Sequence, residues 1–310
     1  MAAATARLMS IAGPLAIAGV VAWAEPVGGQ WVLPTFYRAT GEFAEARLIE
    51  SSGVAVSRRH PGVLWTHNDG GHEPWLYATN LLGEDLGHYR IAGADARDWE
   101  DIALGPCPDV PTTCLYIADT GDNLYRRREA AIYIVEEPAV LPPPGKKAEG
   151  RLQAGRVRVR YPGGPFDVEA LTVAPDGEVL LITKGQQGRI RRFRVPIGRS
   201  RDTSVMAVDQ GVLDIVPQRM LGRLVTGAAV SPSGRRLVVR TYTEIDFYWR
   251  GPDAIVREGR PCWLGLREPQ GEAVDFWDED LLVLTSEAPP NGRGSIALVR
   301  CPTPGPEGSQ

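Results

Sequence analysis

The stretch Val168–Gly185, VEALTVAPDGEVLLITKG, decides the fold. It reads as a short apolar strand, a turn at Pro175-Asp176-Gly177 and a second apolar strand, because Pro and Gly supply the turn and branched residues the strands. The same unit recurs at Ser51 (SSGVAVSRRHPGVLWTHND), Thr226 (TGAAVSPSGRRLVVRTYT) and Gly271 (GEAVDFWDEDLLVLTSE). At Trp99 it returns with a longer turn that carries two cysteines, WEDIALGPCPDVPTTCLYIADTG. A third strand follows each unit: WLYATN, AAIYIVEE, GRIRRFRV, IDFYW and SIALVR. A fourth is clear only at Arg156, RVRVRY.

Units of three or four antiparallel strands, each too small to bury its own faces, stack radially as the blades of an all-β propeller around a central channel. Five units predict five blades, with a sixth, divergent blade as the alternative. The segment FYRATGEFAEARLIE before the first unit is expected to supply the outer strand of the last blade and close the ring. The Pro-rich EEPAVLPPPGKKAEG and the segment 198–218 read as loops between blades.

Arg7, an apolar run and Ala22-Trp23-Ala24 have the layout of a signal peptide over 1–24, with an uncleaved anchor as the alternative. The propeller then occupies 25–310, in a periplasmic or extracellular protein with no membrane span after cleavage. A net charge of −4 without a basic block argues against nucleic acid. Four cysteines in an exported chain predict two disulfides. Cys107 and Cys114 can close their own loop, which leaves Cys262 to Cys301, although the sequence alone permits three pairings.

Innermost strands line a propeller's channel, so aligning the units puts Ser52, Glu100, Glu169, Thr226 and Glu272 in one column. The second strands end in another: Asn68, Asp119, Lys184, Thr241 and Ser286, with Asp69, Arg240 and Glu287 beside it. Three glutamates facing one axis need a bound cation, or pairing with Lys184 and Arg240, unless they form a solvated mouth. An all-oxygen set suits calcium first and magnesium second, with Glu100, Glu169, Glu272 and Asn68 as the expected ligands. His67, in HNDGGHEPW, is an acid/base candidate rather than part of a transition-metal site with His72. DTGDN lacks the rest of an EF-hand loop, and Trp65, Trp75 and Trp99 read as packing residues. No G-x-S-x-G elbow, P-loop or G-x-G-x-x-G is present.

ESSGVAVSRRHPGVLWTHNDGG, DWEDIALGP, LYIADTGDN, DVEAL with ITKG, VTGAAVSPSG with VVRTYT, and QGEAV with LTSE together resemble a family of exported bacterial β-propeller proteins. That family is loosely related to the phytase-like and lactonase-like propellers, and the resemblance runs from Glu50 to about Arg300. It implies channel-mouth acids that hold calcium, which polarises a phosphoryl or carbonyl oxygen. Carried over, Glu100, Glu169 and Glu272 become ligands. Ser52 and Thr226 depart from a fully acidic ring, and no dense Lys/Arg phosphate clamp accompanies Lys184 and Arg240.

Two functions follow as expectations. The first is a calcium-dependent hydrolase of a small phosphoester or lactone, with Asp101 or Asp119 taking a proton and Lys184 or Arg240 stabilising developing charge. The second is a non-catalytic envelope module that binds a protein or glycan. Quinone-dependent sugar dehydrogenation is a third, for which the sequence assigns no partner residues.

Overall fold

The computed structural model describes residues 31–141, 149–251 and 254–303. The segment expected to be a signal peptide lies outside them. Five sheets, antiparallel except for a parallel outer strand in two of them, stand around one channel. Their innermost strands are Ser51–Val56, Trp99–Pro106, Val168–Val173, Val225–Val230 and Gly271–Phe276, and each packs on the next until the fifth meets the first. Among the described residues the only helical element is the 3-10 turn Arg219–Leu221.

The ring closes as the sequence predicts. Phe36–Glu42, the first strand among the described residues, pairs antiparallel with Ser295–Arg300 and completes the fifth blade. That segment is therefore not the remnant of a sixth blade. Apolar residues gather between blades rather than at one centre: Ile102 and Leu115 pack with Trp65, Val157 with Leu181, Leu237 with Ile190, Val238 with Leu284, and Val283 with Leu64. A blade buries its two faces only against its neighbours, so the ring is the cooperative unit.

The two expected inter-blade loops contain strands. Glu149–Gln153 pairs parallel with His88–Ala92 at the outer edge of blade one, before Gly155–Arg160 returns to blade two. Thr203–Met206 repeats the move on blade two, before Val208–Val212 completes blade three. These outer strands escape sequence reading because their residues are polar or exposed; all five of Val208–Val212 are exposed. Both disulfides have the expected pairing, Cys107–Cys114 and Cys262–Cys301. No described helix is long and apolar enough to cross a membrane.

Candidate functional site

In all five blades the ladder between the first and second strands slips by one residue at the same place. The unpaired residues are Ser52, Glu100, Glu169, Thr226 and Glu272, the predicted column. A bulge leaves its extra residue out of the ladder and re-aims its side chain, so five aligned bulges turn five side chains into the channel mouth. All five are at least 95% buried. The two hydroxyls serve as staples: Ser52 Oγ donates to the Glu100 carbonyl (2.7 Å) and Thr226 Oγ1 to the Glu272 carbonyl (2.8 Å).

The glutamates of blades two and three sit in the densest part of the ring. One carboxylate oxygen from each of Glu100, Asp167 and Glu169 lies within 4.8 Å of the others, and the same holds for Asp69, Asp98 and Glu100. Glu100 belongs to both groups. Asp167 accepts the Asp122 N–H through Oδ1 (2.8 Å), but its buried Oδ2 has no hydrogen-bond partner. Lys184 Nζ donates to Glu169 Oε1 (2.8 Å). Burial works against the Lys184 charge, yet Glu169 outweighs it and raises the pKa.

One ammonium does not balance five carboxylates. Burial, then the charges of Glu169, Asp69 and Asp98, push Glu100 well above the usual range. Burial lifts Glu169 to about 8 despite Lys184, with Asp167 adding to the rise. Burial and Asp69 lift Asp98 to about 6. Glu272 is raised well above its ordinary value by burial and Glu169, and Gln270 Nε2 bridges it to Glu287 (2.8 and 2.7 Å). Burial, then Asp69, pushes Glu287 up to about 7. Buried, mutually repelling and partly unpartnered oxygens fit a hard divalent cation.

The other predicted residues divide. Lys184 does reach the mouth, one residue beyond its expected column, where Thr183 stands opposite Val168. It shares that outer level with Asp69, Thr120 and Glu287, each of whose N–H groups bonds back to a carbonyl just before the bulge. Asn68 is committed elsewhere: Oδ1 accepts the Ile49 and Glu50 N–H groups (3.0 Å each) and Nδ2 donates to the Arg47 carbonyl (2.7 Å). Arg240 is fully buried between blades four and five, paired with Glu268 and donating to the Ala273 carbonyl (2.6 Å).

Asp119 pairs with Arg127 (2.8 Å) and is 1% exposed. His67 is sealed edge-on against Trp99, and burial drives its pKa down to about 4. Asp101 lies inside the channel, accepting the N–H groups of Ile102 (2.8 Å), Leu171 (2.9 Å) and Ala228 (3.4 Å) from three blades.

Asp69 and Glu287 stand at the mouth, beside the column as the sequence places them, whereas Asp98, Asp167 and Tyr242 complete it without having been singled out from sequence. The signal for two of them was present. Asp98-Trp99-Glu100 and Asp167-Val168-Glu169 repeat an acid two residues before the bulge glutamate. Tyr242 is raised by burial and by Glu272, which places its phenol among the same acids.

No protein-family model matches the chain, and no curated relative does. Solved structures do. The PQQ-bound aldose sugar dehydrogenase of Streptomyces coelicolor is similar at 12% identity over 90% of this chain and 100% of that one, with a TM-score of 0.50. A gluconolactonase of Xanthomonas campestris gives 14% identity, 90% and 99% coverage and a TM-score of 0.46. At 12% identity the likeness to the dehydrogenase speaks for the fold and no further.

Proposed function

We propose that the acidic mouth holds a hard divalent cation, calcium first, and that the protein is a metal-dependent hydrolase of a small neutral ester, a lactone rather than a phosphoester. The observation that carries this is the buried group Glu100, Asp167 and Glu169 with an unpartnered Asp167 oxygen. Those three are the ligands that fit. Bound there, the cation would polarise an ester carbonyl and make a coordinated water more acidic.

The choice of a neutral ester follows from charge. Lys184 and Arg127, the cations paired with acids of this mouth, are already engaged by Glu169 and Asp119. A phosphate would meet a crowd of buried carboxylates and would have to compete with Glu169 and Asp119 for those two cations. Asp98, raised to about 6 and half-buried beside Glu100, is suited to take a proton from the attacking water near neutral pH. It returns that proton to the leaving alkoxide as the ring C–O bond breaks, giving a hydroxy acid. Lys184, held protonated, and the Tyr242 phenol face the negative charge that develops on the carbonyl oxygen.

The test is turnover of a lactone and phosphoester panel with calcium and with chelator. Calcium-dependent lactone hydrolysis is expected, reduced on the order of 10²–10⁴-fold in Asp98→Asn. Silence across the panel, with no calcium binding by calorimetry, would return the chain to a non-catalytic binding module.

A further inference from the structure

The channel has a second mouth, on the face opposite the acids. There the turns between the first and second strands, together with the Cys107–Cys114 loop, border an open bowl of about 780 Å³. That is the size of a small-molecule site. Its floor is apolar, formed by Val56, Leu104, Val173 and Val230, and Pro106, Pro175 and Pro232 stiffen its wall. Deeper in, between Ile102, Thr172, Ala228 and Val274, the free space falls to about 20 Å³, room for one water at most. Asp101 bridges three blades at that depth. A ligand at this mouth cannot reach the other.

Two guanidiniums line the cavity. Arg58 donates to the carbonyls of Phe276 (2.7 Å) and Trp277 (3.2 Å), and Arg59 to the Glu137 carbonyl (3.2 Å) and the Thr112 hydroxyl. These acceptors fix both side chains without neutralising them, and no carboxylate forms an ion pair with either among the described residues. The acid in the lining, Asp275, turns both oxygens to backbone, accepting the N–H groups of Val56 and Phe276 (2.7 Å each). The lining is left with a net positive charge over an apolar floor.

We propose that this second mouth binds a compact, ring-bearing apolar monocarboxylate, its carboxylate on Arg58 and Arg59 and its body on the valines. An Arg pair matches a planar carboxylate, and a broad bowl closed by a narrow channel suits a ring better than an extended chain. The proposal is independent of any chemistry at the acidic mouth.

Calorimetry on the full chain, in chelator, with naphthalene-2-carboxylate and the uncharged 2-naphthylmethanol tests it. The acid is expected to saturate one site per chain and to bind roughly tenfold or more tighter than the alcohol, the effect of about one charge-assisted contact. Arg58→Gln with Arg59→Gln should erase that preference, and Val110→Trp, at the 39% exposed rim, should weaken both ligands. Glu169→Gln should change neither. If the double variant does not fold, raising salt from ~0.05 to ~0.5 M on the native chain should weaken the acid selectively. No saturable binding, equal binding of acid and alcohol, or a preference that survives both charge removal and salt would overturn the proposal.

Discussion

At the residue scale the mouth is a problem in proton bookkeeping. Asp98, Glu287 and Glu169 titrate near 6, 7 and 8 in the folded chain. Their unfolded values lie near 4. Over that window the folded state binds more protons, so stability is full at the acid end and is lost as pH rises towards 8. In chelator, the urea midpoint should therefore be lower at pH 8 than at pH 5, and calcium should shrink or reverse the difference by holding the carboxylates ionised. A midpoint in chelator that rises with pH would contradict the raised values. Asp167→Asn keeps Oδ1 for the Asp122 N–H and removes one repelling charge. It should stabilise the metal-free protein by about 1 kcal/mol at pH 8 and abolish the calcium-induced rise in Tm, both read by calorimetry.

Legibility at this scale followed periodicity. Column positions within a strand were readable because side chains alternate with period two, which is how Glu100, Glu169 and Glu272 emerged together. Asp98 and Asp167 stand two residues earlier, on the same side, but each precedes the first residue of its strand, where no alternation yet marks a side. Asn68 lies in the column and Arg240 beside it, but Asn68 is turned into backbone contacts and Arg240 into Glu268 and backbone carbonyls, a choice of rotamer that spacing does not encode.

At the element scale, the recurring device is the bulge, and its glycines explain how tightly the blades close. In blade one, Gly53 follows the bulge, and a methyl there would stand 2.6 Å from the Ile102 nitrogen and 2.8 Å from His67 Nε2. Gly53→Ala should therefore wedge blades one and two apart, costing about 1–3 kcal/mol by chemical denaturation. A methyl on Gly121 would instead strike Glu100 Oε1. Gly121→Ala should weaken calcium binding far more than it lowers stability. Asp101 supplies a third device, an acceptor for inward-facing N–H groups that have no ladder partner. Asp101→Ala should cost about 3 kcal/mol or more, since it strands buried donors on three blades. The strand-turn-strand repeat was legible because its apolar residues face neighbouring blades. The parallel outer strands were not, because an edge strand needs backbone pairing more than apolar residues.

At the scale of the whole molecule, a ring must be kept from opening, and the chain ties its blades in different ways. The parallel outer strands Glu149–Gln153 and Thr203–Met206 bind blade one to two and blade two to three. Phe36–Glu42 joins the two ends of the fold within blade five. Cys262–Cys301 then fastens the outer edge of blade four, where Cys262 pairs with Ile245, to the chain leaving blade five. The two disulfides should thus differ in weight. Cys107–Cys114 spans 7 residues within one turn, whereas Cys262–Cys301 spans 39 and crosses between blades. In the chain-entropy account the longer loop is worth about 4 kcal/mol and the shorter about 2.5 kcal/mol. Cys262→Ser with Cys301→Ser should accordingly lower Tm by roughly 8–16 °C and Cys107→Ser with Cys114→Ser by roughly 5–10 °C, at about 2–4 °C per kcal/mol. The longer-loop variant should also become protease-sensitive first around residues 31–42, because strand Phe36–Glu42 loses its neighbour's anchor. Equal losses of Tm, or first cleavage elsewhere, would show that strand pairing alone holds the ring shut.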